Sequence, residues 1–268
     1  MAEYYGEGVI FLLETGQSFQ CNFGIGQIGK GQNYLIADIT TLGFTVNSQD
    51  PDKKFRFRGV TEEGFCIFLH ATGYITSLKL KSNLTIVYSI EDFVVKTGVS
   101  NSIKKITFGL TNFVVNENYE EGINFALPPI DRISIRKIKQ YEDVIRRLKK
   151  EKNIEMTSEI DFSVTEDIRV ESFVEIASII CFLLSICRGT KIFWIYYGYY
   201  DGIGNLIFKI HIPTINHPYA SLPELIPSRR SNETIKFLQD AYSILLRNTL
   251  LKRDLIIFSN VFTDARNG

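Results

Sequence analysis

Three histidines, four cysteines and one glycine-rich string are the residue types in this chain that could do chemistry. His70 and His211 lie inside the apolar, strand-like runs GFCIFLHA and KIHIP, where an imidazole more often serves the sheet than binds a metal or moves a proton. His217 sits in the loop NHPYA beside Tyr219, and this pair is the better placed to contact a ligand. The histidines are too separated for a sequence-local metal site. Cys21, Cys66, Cys181 and Cys187 form no CxxC pair and have no close histidine, so neither a zinc knuckle nor a dithiol redox motif is expected, and no metal or cofactor is assigned. Reduced, mostly buried thiols are the expectation. The string from Gly24 to Gly31 satisfies GxGxxG and nearly satisfies the P-loop pattern. Either motif works only where the glycines turn from a strand into a helix N-terminus, whose amides hold the phosphates. The sequel NYLIADI has a strand pattern, and Gly31 stands where the magnesium-binding hydroxyl belongs, so a glycine-rich β-turn is the favoured reading. With no GxSxG elbow and no HExxH, catalytic residues stay unassigned and the balance leans away from an enzyme.

Charge supplies the binding candidates. Thirty basic and thirty acidic residues cancel overall, yet Arg132 to Lys152 holds nine basic and three acidic ones. Arg146, Arg147, Lys149 and Lys150 within the basic segment 136–152 could track the phosphates of RNA or DNA. The competing reading is a solvated helix face, with Tyr141, Val144, Ile145 and Leu148 at helical spacing docking on the body. No aromatic platform is interleaved with the charges, which favours the solvated face. Arg229 and Arg230, flanked by Ser228 and Ser231 at the start of a further helix, could bind an anion or form an exposed cap. The aromatic run from Phe193 to Tyr200 reads as core and subdomain interface ahead of a stacking platform.

The elements that must position these residues change character along the chain. Up to Pro129, short β-branched and aromatic runs alternate apolar with polar residues, as in Lys54-Phe55-Arg56-Phe57-Arg58, and turn residues separate them. This spacing predicts an α+β protein: an N-terminal antiparallel β-sandwich or open barrel over 1–129, then an α+β subdomain over 130–268. The second part is expected to hold a helix near Lys137 to Lys150, the strand MTSEIDFSV, and a helix opening at Thr165-Glu166-Asp167 and closing at Arg188-Gly189. A β-hairpin around Asp201 to Asn205, a helix from about Glu233 to Arg247 and a further helical segment over 250–263 complete it. That last segment reads as the first element of a helical domain that continues. Composition excludes collagenous and disordered classes, since 45% of residues are hydrophobic and only 7 are Pro. No signal peptide is evident, and the longest apolar stretch, Ile176 to Cys187, is short of the ~20 residues that span a bilayer. A cytoplasmic, soluble protein with no membrane partner is expected.

Five segments together resemble a known arrangement: ITFGLTNF, PxxDRISIRKIKQYEDVIRRLKK, SFVEIASIICFLLSICRGTKIFWIYY, HPYASLPELIP and ETIKFLQDAYSILLRNTLL. Over residues 100–262 the chain is similar to the N-terminal, non-catalytic region upstream of HEPN-type helical domains in bacterial proteins of the ApeA-like family. The resemblance implies a helix across the second segment and a sensing or scaffold role in anti-phage defence. It also implies a protein partner or a C-terminal helical domain as the effector. Active HEPN domains carry Arg-x(4–6)-His, and none of the three histidines here has an arginine at that distance. The reading is therefore a non-enzymatic binding or regulatory module. The alternative is a nucleic-acid-binding or RNA-processing protein that uses the basic segment.

Overall fold

The computed structural model describes residues 3–28, 32–40, 54–72, 74–80, 84–97, 102–114, 122–151, 154–164, 169–212, 224–227 and 230–248. The first eight strands are β1 (Tyr4–Leu12), β2 (Ser18–Gln27), β3 (Asn33–Ile39), β4 (Lys54–Thr61), β5 (Cys66–Thr72), β6 (Tyr74–Leu80), β7 (Leu84–Ile90) and β8 (Phe93–Lys96). There follow β9 (Lys105–Thr111), β10 (Ile123–Leu127), β11 (Ile130–Lys137), α1 (Tyr141–Glu151), β12 (Met156–Ser163) and α2 (Val170–Arg188). The last are β13 (Trp194–Tyr200), β14 (Leu206–His211) and α3 (Ser231–Arg247). The fold is thus α+β, dominated by antiparallel sheet. It divides into two compact units, 1–102 with 198–214, and 103–197 with 215–268. The chain passes from the second to the first within β13. Pro128 and Pro129, expected to mark a boundary, instead form the turn between β10 and β11 inside the second unit.

In the first unit the strand order is β14-β8-β5-β4-β1-β2-β3-β7-β6. Strict alternation puts Ile10, Phe23, Leu35, Phe57, Ile67 and Ile86 on one face, in a single buried cluster. Each such side chain contributes about 1.5–3 kcal/mol by leaving water. Gly8 and Gly59 face one another across β1 and β4 for a packing reason. A Cβ on Gly8 would lie 2.6 Å from the Phe57 ring, and one on Gly59 2.6 Å from the Phe23 ring. The space they leave holds these two rings edge to face, with centroids 5.0 Å apart. The array bends back on itself: the Gln27 side-chain amide donates to the Ile212 carbonyl at 2.9 Å, and that of Asn33 to the His211 carbonyl at 3.3 Å.

In the second unit the order is β10-β11-β12-β9-β13. Its buried residues Ile106, Phe108, Ile133, Ile135, Ile160 and Phe162 again follow period two. Helix α2 brings Phe173 to Phe162, ring centroids 5.8 Å apart, and α3 lies against α2 and β10. One expectation is corrected here. RISIRK is not helical: Ile133 and Ile135 alternate with Ser134 and Arg136 in β11, and the helix begins only at Tyr141. The basic segment is therefore shared between a strand and a helix. Both α2 and α3 lack a side-chain N-cap hydrogen bond; of Ser228 and Ser231, either of which could cap α3 by sequence, Ser231 is its first helical residue and is buried, while Ser228 lies outside the described residues. No helix among the described residues is long and apolar enough to cross a membrane.

Candidate functional site

Among the described residues, several with the chemistry for catalysis are occupied by the fold. The Cys21 and Cys181 thiols are buried and pushed up to about 12 by desolvation, so both are protonated and poor nucleophiles at neutral pH. His211 is fully buried and stacked on Phe93, ring centroids 4.3 Å apart. Burial first, and Lys209 nearby, hold its pKa well below the ordinary value. It is therefore neutral beside Glu3, whose carboxylate lies 3.7 Å from Nε2, and this contact is no ion pair at neutral pH. The carboxylates of Glu159 and Asp161, two apart on β12, are clamped by Arg136 at 2.6 and 2.9 Å. Thr107 donates to Asp161 at 2.6 Å and the Tyr196 hydroxyl donates to Glu159, so neither acid is free for acid-base work. Among the described residues no three His, Cys, Asp or Glu side chains gather as metal ligands.

The binding candidates fare differently. Helix α1 buries Tyr141, Val144, Ile145 and Leu148 and turns its charges to solvent. Arg146 lies 3.6 Å from Asp143, and Arg147 is 3.4 Å from Glu155, while Lys149 and Lys150 stand exposed. Arg230 is the N-cap of α3 and donates to both carboxylate oxygens of Glu233 at 3.1 and 3.2 Å. Arg229, His217, Tyr219, the segment 250–263, and the Gly29–Gly31 part of the glycine string lie outside the described residues, as does the His70 side chain. Gly24 and Gly26 lie inside β2, and an antiparallel strand follows rather than a helix, as a β-turn requires. The aromatic run is spent internally: Trp194 and Tyr197 pack on Phe108, the Tyr196 ring fills the place a Cβ on Gly109 would take, and Tyr199 stacks on Phe208.

Two other places remain. On the outer face of the first unit, strand pairing sets Asp38, Asn22 and Glu7 in one row across β3, β2 and β1, continued by Val60 on β4. The next row sets Ile36, Gly24 and Tyr5 side by side. Gly24 has no side chain between Tyr5 and Ile36, and the depression there opens into a groove of about 700 Å³ to which Glu62 also contributes. Thr85 donates to Asp38 at 2.5 Å and holds its orientation. Three carboxylates and a half-exposed Tyr5 ring, with no lining cation among the described residues, give the groove a negatively charged, hydrogen-bond-accepting wall. In the second unit, Arg188 is 4% exposed at the end of α2. Its Nη1 donates to the Ile226 carbonyl at 2.5 Å and its Nη2 to the Thr234 hydroxyl at 3.2 Å, with the guanidinium over the Phe113 ring. Burial lowers its pKa, and the Glu224 charge works against that shift.

The sequence reading missed both places. The groove has no local signal, because its rows exist only once β1 pairs with both β2 and β4. Arg188 had one: Phe173, Ala177, Cys181, Leu184 and Arg188 recur at helical spacing, and all five are buried, which puts a charge on an apolar stripe.

No protein-family model matches the chain, and no curated protein does. A search of solved structures finds a likeness to the Bacillus subtilis inhibitor of motility MotI/DgrA, at 9% identity and a TM-score of 0.23, covering 63% of this chain and 91% of that one. At that score the likeness carries no argument about fold or function.

Proposed function

We propose that the chain is a non-enzymatic binding and regulatory module whose first unit, an open barrel, receives a cationic segment of a protein partner in the groove around Gly24. The groove itself carries the reading: it places Glu7, Asp38 and Glu62 about the Tyr5 ring on a face that water reaches. The occupied state of the Cys21 and Cys181 thiols, of His211 and of the Glu159–Asp161 pair supports a binding role over catalysis. The similarity over residues 100–262 to the region upstream of HEPN domains supports a sensor or scaffold in a bacterial anti-phage protein, cytoplasmic and working through a helical effector domain. Energetics constrain the partner. An exposed ion pair contributes about 0.2–1 kcal/mol and a cation–π contact about 0.5–1, so one lysine or arginine in the groove gives at best millimolar affinity. The ligand is therefore a segment with several cationic side chains rather than a small amine.

Binding of a labelled oligo-arginine peptide, followed by fluorescence anisotropy, tests this. Glu7→Lys with Asp38→Lys turns attraction into repulsion and is expected to weaken binding at least about ten-fold. Equal binding by the variant refutes the groove.

The second reading, nucleic-acid binding through α1, has one observation in its favour: Lys149 and Lys150 are exposed with no ion pair among the described residues. It requires affinity for RNA or DNA that falls steeply with salt and is lost when Arg146, Arg147, Lys149 and Lys150 are neutralised together. Absence of binding at low salt removes it.

A further inference from the structure

Among the described residues Arg188 is the only Lys or Arg of the second unit that is buried. A buried guanidinium is stable when a carboxylate or other anion offsets its charge, and among the described residues the direct contacts of Arg188 are a carbonyl, a hydroxyl and an aromatic face. The Glu224 charge favours the protonated guanidinium but does not outweigh the cost of burial. Helix dipoles do not close the gap. The guanidinium lies in the last turn of α2, where the partial charge is negative, but it also bonds Thr234 in the first turn of α3, where it is positive, and the two largely cancel.

The surrounding polar groups share the same lack. Arg188 Nε, the Thr190 hydroxyl and the Ser231 hydroxyl are all buried without a hydrogen-bond partner among the described residues. Ser231 is 2% exposed and Thr234 0%, and being three apart they share one face of α3, the face that meets the guanidinium. The first-turn amides of this 17-residue helix have no side-chain cap, and Glu233, the acid nearest to them, is turned to Arg230. Among the described residues, donors therefore gather here without a matching acceptor. Leu225 is 66% exposed just before the segment that bonds Arg188, so the spot lies close beneath the surface.

We infer that the junction of α2 and α3 binds a phosphate-type oxyanion, held by Arg188 Nε, the Ser231 hydroxyl and the first-turn amides of α3. The site lies in the other unit from the groove and stands independently of it. Its occupancy would join the end of α2 to the start of α3 through a ligand, a regulatory input by a phosphate compound.

Equilibrium dialysis of the full chain against inorganic phosphate and, separately, phenyl phosphate, at ionic strength held constant with chloride, is the test. The expected result is one saturable site for inorganic phosphate, with a Tm that rises on phosphate addition and not on chloride addition. Phenyl phosphate binding equally well assigns the site to phosphate esters; its exclusion assigns it to the free ion. Arg188→Met is expected to abolish binding, whereas Lys149→Gln with Lys150→Gln leaves it unchanged. If Arg188→Met does not fold, Ser231→Ala decides, with an expected loss of at least about five-fold, the worth of one neutral hydrogen bond. Wild-type protein that responds to phosphate and chloride alike overturns the proposal, because the unpartnered donors then hold water. So does binding undiminished in the folded variant that decides.

Discussion

The groove of the first unit and the arginine of the second are opposite solutions to placing charge. Glu7 and Asp38 stand on an outer sheet face, where solvent screens each of them and none is individually decisive. Arg188 stands beneath the surface, where the same unit of charge interacts several-fold more strongly with whatever faces it. Exposed clusters recognise by number and tolerate variation. A buried single charge recognises by fit and does not.

Removing the buried charge breaks this contrast most directly. Arg188→Ala leaves a cavity and strips Ile226 and Thr234 of a donor, so chemical denaturation is expected to show a loss of about 2–4 kcal/mol. Next in size is His211, which asks whether depth or unit membership sets the behaviour. It is neutral in the fold with a depressed pKa, so below about pH 6.5 the unfolded chain takes up a proton that the native chain refuses. Stability is expected to fall by about 1–2 kcal/mol between pH 6.5 and 5, and His211→Gln to flatten that dependence relative to wild type. A pH-independent wild type would show that Glu3 accommodates the imidazolium. Smaller again is Tyr5→Ala, expected to weaken oligo-arginine binding about two- to five-fold through the lost ring face. The smallest effect belongs to Glu7→Gln with Asp38→Asn, whose unfolding free energy should stay within about 0.5 kcal/mol of wild type while peptide affinity drops. A large destabilisation there would mean that the row is structural.

What the chain showed in advance was whatever period reveals. Lys54 to Arg58 alternates, and β4 buries Phe55 and Phe57 while exposing Arg56 and Arg58. The apolar residues of α1 were legible because Tyr141, Val144, Ile145 and Leu148 are spaced for one helical face. RISIRK escaped because three cations in a short run resemble the solvated face of the helix that follows, although Ile133 and Ile135 already mark a strand. The groove escaped for a different reason. Glu7, Asn22 and Asp38 become neighbours only through strand register, which no window of sequence contains. The Arg188 donors escaped because an arginine before a glycine satisfies every rule for ending a helix and conceals that it faces inward.

The late strand of the first unit has a consequence for how the chain is made. β14 pairs with β8, and its end supplies the carbonyls that Gln27 and Asn33 bind, yet residues 198–214 are synthesised only after all of 103–197. At roughly 5–20 residues per second, β1 to β8 wait about 5–20 s for the strand that completes them. Throughout that interval β8 offers an open edge to any other extended chain.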